Sequence, residues 1–144
     1  MDSLDAAIIE VLERDGRIPN VDLAAEVGLT PGPCLRRVQR LEQAGVIRGY
    51  RAVVDPAAVG RGFEVLLDVE LTNFDRKSVD RFESTMAAFS EVTELHRLFG
   101  SPDYFIRIKV KDLPAYEAFL SDHVMTIPGI QKLSSRFTMK TIKG

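Results

Sequence analysis

Arg36, Arg37 and Arg40 fall within five positions, and Arg48 and Arg51 follow soon after. Guanidinium forks match phosphate oxygens and the major-groove edge of guanine bidentately. From Thr30 to Arg51 five arginines face a single acid, Glu42, whereas residues 1–29 carry seven acids against Arg14 and Arg17. The net charge of the 144-residue chain is only −2, so a basic segment lies inside an acidic chain. That segregation is more informative than the total. It points to a phosphate-bearing partner such as nucleic acid; the plainer reading is a solvated basic face.

No other group of residues competes with this one. His96 and His123 are far apart and have no partners at metal-ligand spacing, so no metal site is expected. His96 alternates with Leu95 in a strand pattern and reads as an interface or half-buried histidine. The single cysteine, Cys34, excludes an intrachain disulfide and a cysteine-based zinc site. It reads as a small semi-buried side chain, with a redox switch at a helix N-terminus as the sharper alternative. There is no glycine-rich phosphate loop, nucleophile elbow or carboxylate pair. No catalytic residue, no cofactor and no enzyme are expected. Hydrophobic residues make up 45% of the chain, enough for a packed core. No apolar run approaches a membrane span, and no signal peptide opens the sequence. A cytoplasmic protein without a membrane partner is the expectation.

The arginines must be held by helices. Leu4, Ile8, Val11 and Leu12 have helical spacing, with Asp2 or Ser3 as cap. A second short helix covers "VDLAAEVGL", with Asn20 as cap and Leu23, Ala24 and Val27 inward. Gly28 supplies the turn. The third begins in "TPGPCLRRVQRLEQAG". Prolines are ruinous in mid-helix but tolerated in the first turn, where N–H groups have no partner anyway. Thr30 is the expected N-cap. Leu35, Val38 and Leu41 form the inward stripe, which leaves Arg36, Arg37 and Arg40 outward, and Gly45 stops the helix. Two helices around a short glycine turn form a helix-turn-helix or a plain structural hairpin. Only Thr30 and Cys34 offer side chains in the turn that normally reads bases, so phosphate contacts should be strong and base specificity loose.

Beyond Gly45, "VIRGYRAVVD" is β-branched and expected to be extended, and "DPAAVGRG" reads as a linker with a turn. From Phe63 the period becomes two. Val65, Leu67, Val69 and Leu71 alternate with Glu64, Asp68 and Glu70. A helix with Val79, Phe82, Met86 and Phe89 inward follows. Two strands come next around "GSP", then a helix over "LPAYEAFLSDHVMT" and a last strand over "IQKLSSRFTMKTI". The order β-α-β-β-α-β is the split ferredoxin-like arrangement, with both helices on one sheet face. The other face would carry Glu64, Asp68, Glu70, Arg107, Lys109, Arg136 and Lys140. Solvated cross-strand charge pairs and a polar dimer interface remain alternative readings of it.

"LDAAIIEVLERDGR", "LAAEVGLTPGPCLRRVQRLEQAGVIRGYRAVVDPAAVG", "GSPDY" and "IPGIQKLSS" together resemble the Lrp/AsnC (feast/famine) transcription regulators, over essentially the whole length. The resemblance implies an α+β chain. Its N-terminal helix-turn-helix (winged-helix-like) domain would span residues 1–48 and a strand-like hinge 49–62. A ferredoxin-like βαββαβ domain, called RAM, would span 63–144 and serve effector binding and oligomerisation. It implies homodimers that assemble further, commonly to octamers. It also implies double-stranded DNA bound through Thr30, Arg36, Arg37, Arg40 and Arg48 by a nucleoid-associated protein. An amino-acid effector would bind between dimers at the Gly100–Tyr104 loop. There, N–H groups near Gly100 and Ser101 would meet its carboxylate and Asp103 its ammonium, with Tyr104, Ser134 and Ser135 adding contacts. Leu133 stands where many members have Thr, and Pro102 where many have a bulky or polar residue. The function implied is an amino-acid-responsive, DNA-binding transcription regulator. An effector-independent architectural protein that bends or wraps DNA is the alternative. A regulatory subunit with a vestigial helix-turn-helix is a third reading.

Overall fold

The computed structural model describes all 144 residues, which form two compact units, Met1–Val53 and Val54–Gly144. In the first, α1 (Ser3–Arg14), α2 (Asn20–Val27) and α3 (Pro31–Gln43) surround a core of Ile8, Val11, Leu23, Ala24, Cys34 and Leu41. Helix α1 opens with a reciprocal cap. The Asp2 carboxylate accepts the Asp5 N–H at 2.9 Å, and the Asp5 carboxylate accepts the Asp2 N–H at 3.3 Å. Two orphan donors are thereby satisfied. Asn20 is not the cap of α2. Pro19 holds that position, and the Asn20 amide instead donates to the Pro31 carbonyl at 2.8 Å, tying the turn to the start of α3. Gly28 ends α2 in the left-handed region at φ 75°.

Helix α3 begins at Pro31 after Thr30, which has extended backbone but makes no side-chain capping bond. The inward line of α3 differs from the expected one. Cys34 and Leu41 are buried and Val38 is half-buried, whereas Leu35 is 45% exposed. The stripe therefore runs i, i+4, i+7 from Cys34; it keeps Val38 and Leu41, and its centre turns about 30° away from Leu35, towards Arg37. At the C-terminus Gly45 donates to the Glu42 carbonyl, and the N–H groups of Val46 and Ile47 close on Leu41 O at 3.0 and 3.1 Å. The segment expected to be strand-like, over residues 46–55, contains no strand. Extended backbone needs a neighbour for its N–H and C=O groups, and this chain supplies none there.

The second unit starts with a short 3-10 turn, Ala57–Val59, where the linker was expected. Gly62 lies so close to Ala57 that a Cβ on it would sit 3.2 Å from that residue. Strands β1 (Phe63–Leu71), β2 (Val92–Arg97), β3 (Tyr104–Val110) and β4 (Ile130–Phe137) make one antiparallel sheet in the order β2-β3-β1-β4. Helix α4 (Arg76–Ala87) follows β1. Helix α5 (Leu113–Phe119) widens into a π turn over Leu120–Val124. Asp75 and Asp112 cap the two helices by accepting the Ser78 and Ala115 N–H groups. Val65, Leu67 and Val69 of β1 and Tyr104, Ile106 and Ile108 of β3 point to the helix side. There they bury against Val79, Phe82, Met86, Tyr116 and Phe119. Strand β4 is shorter than expected and leaves Lys140 outside it. Strand β1 begins at Phe63, so the last rung is the Thr138 N–H on the Glu64 carbonyl.

Candidate nucleic-acid interface and effector loop

The five cations of the basic segment do not share one role. Arg36 is exposed and makes no ion pair. The Arg40 side chain is 63% exposed and its Nη2 lies 3.3 Å from Asp5. Arg37 does not project outward. Its side chain is 23% exposed, and its Nη1 sits 2.7 Å from Asp2 and 3.0 Å from Asp5. The first turn of α1 thus clamps the middle of α3. The hydrogen bond from Arg37 is the main reason that the Asp2 carboxyl falls from its ordinary 3.8 to about 2. Burial opposes ionisation of Asp5, but bonds from Arg37 and the Asp2 N–H outweigh it and lower its pKa too. The same two carboxylates raise Arg37. Thr30 is exposed at the start of α3. Arg48 and Arg51 lie beyond α3 and line a hollow of about 580 Å³ with Ile9, Leu12, Val46 and Tyr50. Cys34 is fully buried, and burial pushes its thiol up, away from the thiolate that redox chemistry needs.

The β2–β3 loop turns at Gly100, whose φ of 129° favours glycine, and passes through a cis Ser101–Pro102 bond. Ser101 Oγ donates to Glu70 at 2.7 Å. The Asp103 carboxylate is already engaged: it accepts the Leu71 N–H at 2.8 Å, and its carbonyl accepts the Leu98 N–H at 2.8 Å. Tyr104 cannot present its side chain to a ligand at the loop. It is fully buried on the helix side, its ring centroid 4.7 Å from that of Phe82, and its hydroxyl donates to Glu83 at 2.7 Å. Burial, reinforced by Glu83, raises its pKa. Ser134 and Ser135 part company as well. Ser134 stands opposite Asp68 on the outer face, whereas Ser135 stands opposite the inward Leu67 and shares a hydrogen bond with Tyr116. Only Ser101 and Ser134 of the expected effector residues meet, in a hollow of about 190 Å³ also lined by Asp68, Glu70, Pro102 and Lys132.

The outer face carries an ion-pair lattice. Arg107 bridges Glu64 at 2.9 Å and Glu94 at 3.3 Å, Lys109 approaches Glu64 at 3.9 Å, and Arg136 meets Asp68 at 3.2 Å. His96 is exposed, 3.4 Å from Glu94, and stacks on Phe105.

Residues 64–144 match the model of the Lrp/AsnC ligand binding domain, and residues 1–42 match that of the AsnC-type helix-turn-helix domain. The chain belongs to the Lrp/AsnC family. It is 34% identical over 99% of its length to the leucine-responsive regulatory protein of Haemophilus influenzae, covering 86% of that protein. To its namesake in Escherichia coli K12 it is 33% identical, again over 99% of this chain and 87% of the other. Its fold superimposes with a TM-score of 0.95 on a Neisseria meningitidis transcriptional regulator solved in complex with L-methionine. That match is 33% identical and covers 100% of this chain and 93% of the other. An AsnC family regulator from Agrobacterium tumefaciens gives 0.94 at 37% identity, covering 100% and 94%. This Lrp/AsnC chain therefore joins a DNA-binding helix-turn-helix to a ligand-binding βαββαβ domain, and its family consists of transcription regulators.

Two lining residues of the hollow in this Lrp/AsnC domain, Glu70 and Lys132, carry no site role in the sequence reading. The available signal was strand parity: both fall in register opposite one another, next to the Asp68–Ser134 pair. Asp103 acts on the loop through the backbone. Asp103→Ala is expected to destabilise the ligand-binding domain by about 1–3 kcal/mol, because the Leu71 N–H loses its acceptor. Asp103→Asn keeps an oxygen there and should stay within about 1 kcal/mol of the parent. Urea unfolding of the three proteins checks this. Equal stability of the alanine variant and the parent would contradict it.

Proposed function

We propose that this regulator binds double-stranded DNA through α3 and alters that binding when a free amino acid occupies the β2–β3 loop region between dimers. The observation that carries the reading is the pair of exposed guanidiniums, Arg36 and Arg40, on the third helix of a helix-turn-helix. Thr30 and Arg48 add phosphate contacts, and Arg37 holds α3 against α1. At the loop, N–H groups near Gly100 and Ser101 and the Ser134 hydroxyl serve the effector. The Neisseria regulator, solved with L-methionine, supports an amino acid as ligand. Fully exposed Val53 and Phe99 support burial by further copies, as homodimers that assemble towards octamers. No helix is long and apolar enough to cross a membrane, in keeping with work at the nucleoid in the cytoplasm. No catalytic step is part of this reading. The effector shifts the population of assemblies, and so which half-sites are engaged together.

A ligand that binds the folded state raises its melting temperature. A thermal-shift panel of the twenty protein amino acids on the full chain, paired with sedimentation velocity, should show at least one that raises the melting temperature and changes the assembly. An architectural role, without effector, has one observation in its favour: the first turn of α3 is Pro31, Gly32 and Pro33, which read no bases. A panel in which nothing shifts would favour that role.

A further inference from the structure

Glu70 and Lys132 face one another directly across β1 and β4 on the outer sheet face. Opposite charges in that position ordinarily pair. Every other charged residue of the face does so: Glu64 and Glu94 with Arg107, Lys109 with Glu64, and Asp68 with Arg136. Glu70 and Lys132 form no ion pair, with each other or with any other group. Both line the hollow of about 190 Å³ that Ser101 and Ser134 also line. The one hydrogen bond on Glu70 comes from Ser101, so Oε2 has no partner.

From this geometry we infer that Glu70 and Lys132 are the charged poles of the effector site, Glu70 accepting from the ligand's α-ammonium and Lys132 donating to its α-carboxylate. The inference rests on the amino-acid reading above and moves the ammonium partner away from Asp103, whose carboxylate is occupied by the Leu71 N–H. One free negative and one free positive charge match a zwitterion of zero net charge. Asp68, the third charge of the lining, is neutralised by Arg136, which leaves nothing to match a charged ligand side chain. The ligand class is therefore α-amino acids with neutral side chains. Ser134, opposite Asp68, is placed to add a hydroxyl to the carboxylate end, and Ser101 orients Glu70. A hollow below the roughly 300–1,000 Å³ of drug-sized sites suits a ligand of that size.

The test uses the full chain, calorimetry and the twenty amino acids singly. For each that binds, its decarboxylated amine and its 2-hydroxy acid are titrated too. Neutral amino acids should bind and aspartate, glutamate, lysine and arginine should not. Glu70→Gln should weaken amino-acid binding about tenfold or more, since a charge-assisted bond becomes a neutral one. It should leave the 2-hydroxy acid, which lacks the ammonium, at its parental affinity. Lys132→Gln should weaken the amino acid similarly and spare the amine. Parental binding that both variants retain would overturn this assignment and leave the effector reading standing. A parent that binds none of the twenty would overturn both. Variants that lose oligomer mass at unchanged ligand affinity would overturn the assignment in favour of an ion pair between copies.

Discussion

Replacing Arg36 and Arg40 together by alanine is expected to weaken DNA binding about 100-fold or more at fixed salt, with the fold untouched. Each guanidinium contact to DNA is worth about 1–3 kcal/mol, and tenfold in affinity is about 1.4 kcal/mol. The loss is repeated in every helix-turn-helix of an oligomer, so avidity amplifies it. The salt dependence should change in parallel. Each phosphate contact contributes about 0.9 to the slope of log affinity against log salt, so the double variant should be flatter by about two per binding unit. Arg36 makes no ion pair and the Arg40 side chain is mostly in solvent, so neither holds the core. Fluorescence anisotropy across a salt series, with circular dichroism as the folding control, decides it. A folded double variant with parental affinity and slope would remove α3 from the DNA interface.

Arg37→Ala is expected to act differently, by loosening the DNA-binding unit itself. Arg37 neutralises two carboxylates, Asp2 and Asp5, which sit side by side in the first turn of α1. Without it, Asp5 keeps only the Asp2 N–H and the longer approach from Arg40, and remains 3% exposed against a like charge. Hydrogen exchange should rise throughout α1 and α3 and stay unchanged in β1 and β3. The melting of the N-terminal unit should fall by on the order of 5–10 °C. Arg37→Lys restores the charge without the fork and should recover part of the loss. Acid gives a second reading. Both carboxylates are held below their ordinary range in the folded unit, Asp2 at about 2. Their contribution is complete above the unfolded value of about 4 and is lost as pH falls through 4 towards 2. Arg37→Ala should flatten that acid dependence. Unchanged exchange in α1 and α3 would show the clamp to be dispensable.

The contrast between Arg37 and its neighbours explains what the sequence hides. A stripe drawn through Leu35 puts Arg37 in solvent, but the stripe runs through Cys34, Val38 and Leu41. With Cys34 in place of Leu35 the centre of the buried line turns by about 30°, which brings Arg37 to its flank, within reach of α1. Cysteine is a less obvious core residue than leucine, though it is among the residue types most often buried. The acidic turn at Asp2 and Asp5 is 32 to 35 residues away in the chain, and no local pattern announces that meeting. Strand parity was more legible than its use at the effector loop suggests. Arg107 and Lys109 outward already require Tyr104, Ile106 and Ile108 inward, and the same alternation separates Ser134 from Ser135. The engagement of Asp103 was not legible, because it depends on a backbone N–H at the far end of β1. The unpaired segment over residues 46–55 marks the other limit: β-branched residues express a propensity, and a strand forms only where a neighbour exists.

The central claim is that one chain couples an amino acid to DNA. Its most direct test is a fluorescence-anisotropy titration of the full chain onto DNA from upstream of its own gene, at several salt concentrations, with and without a pool of the twenty amino acids. Binding should weaken steeply with salt and shift reproducibly when the pool is added. Binding that ignores the pool, or no binding at low salt, would contradict it.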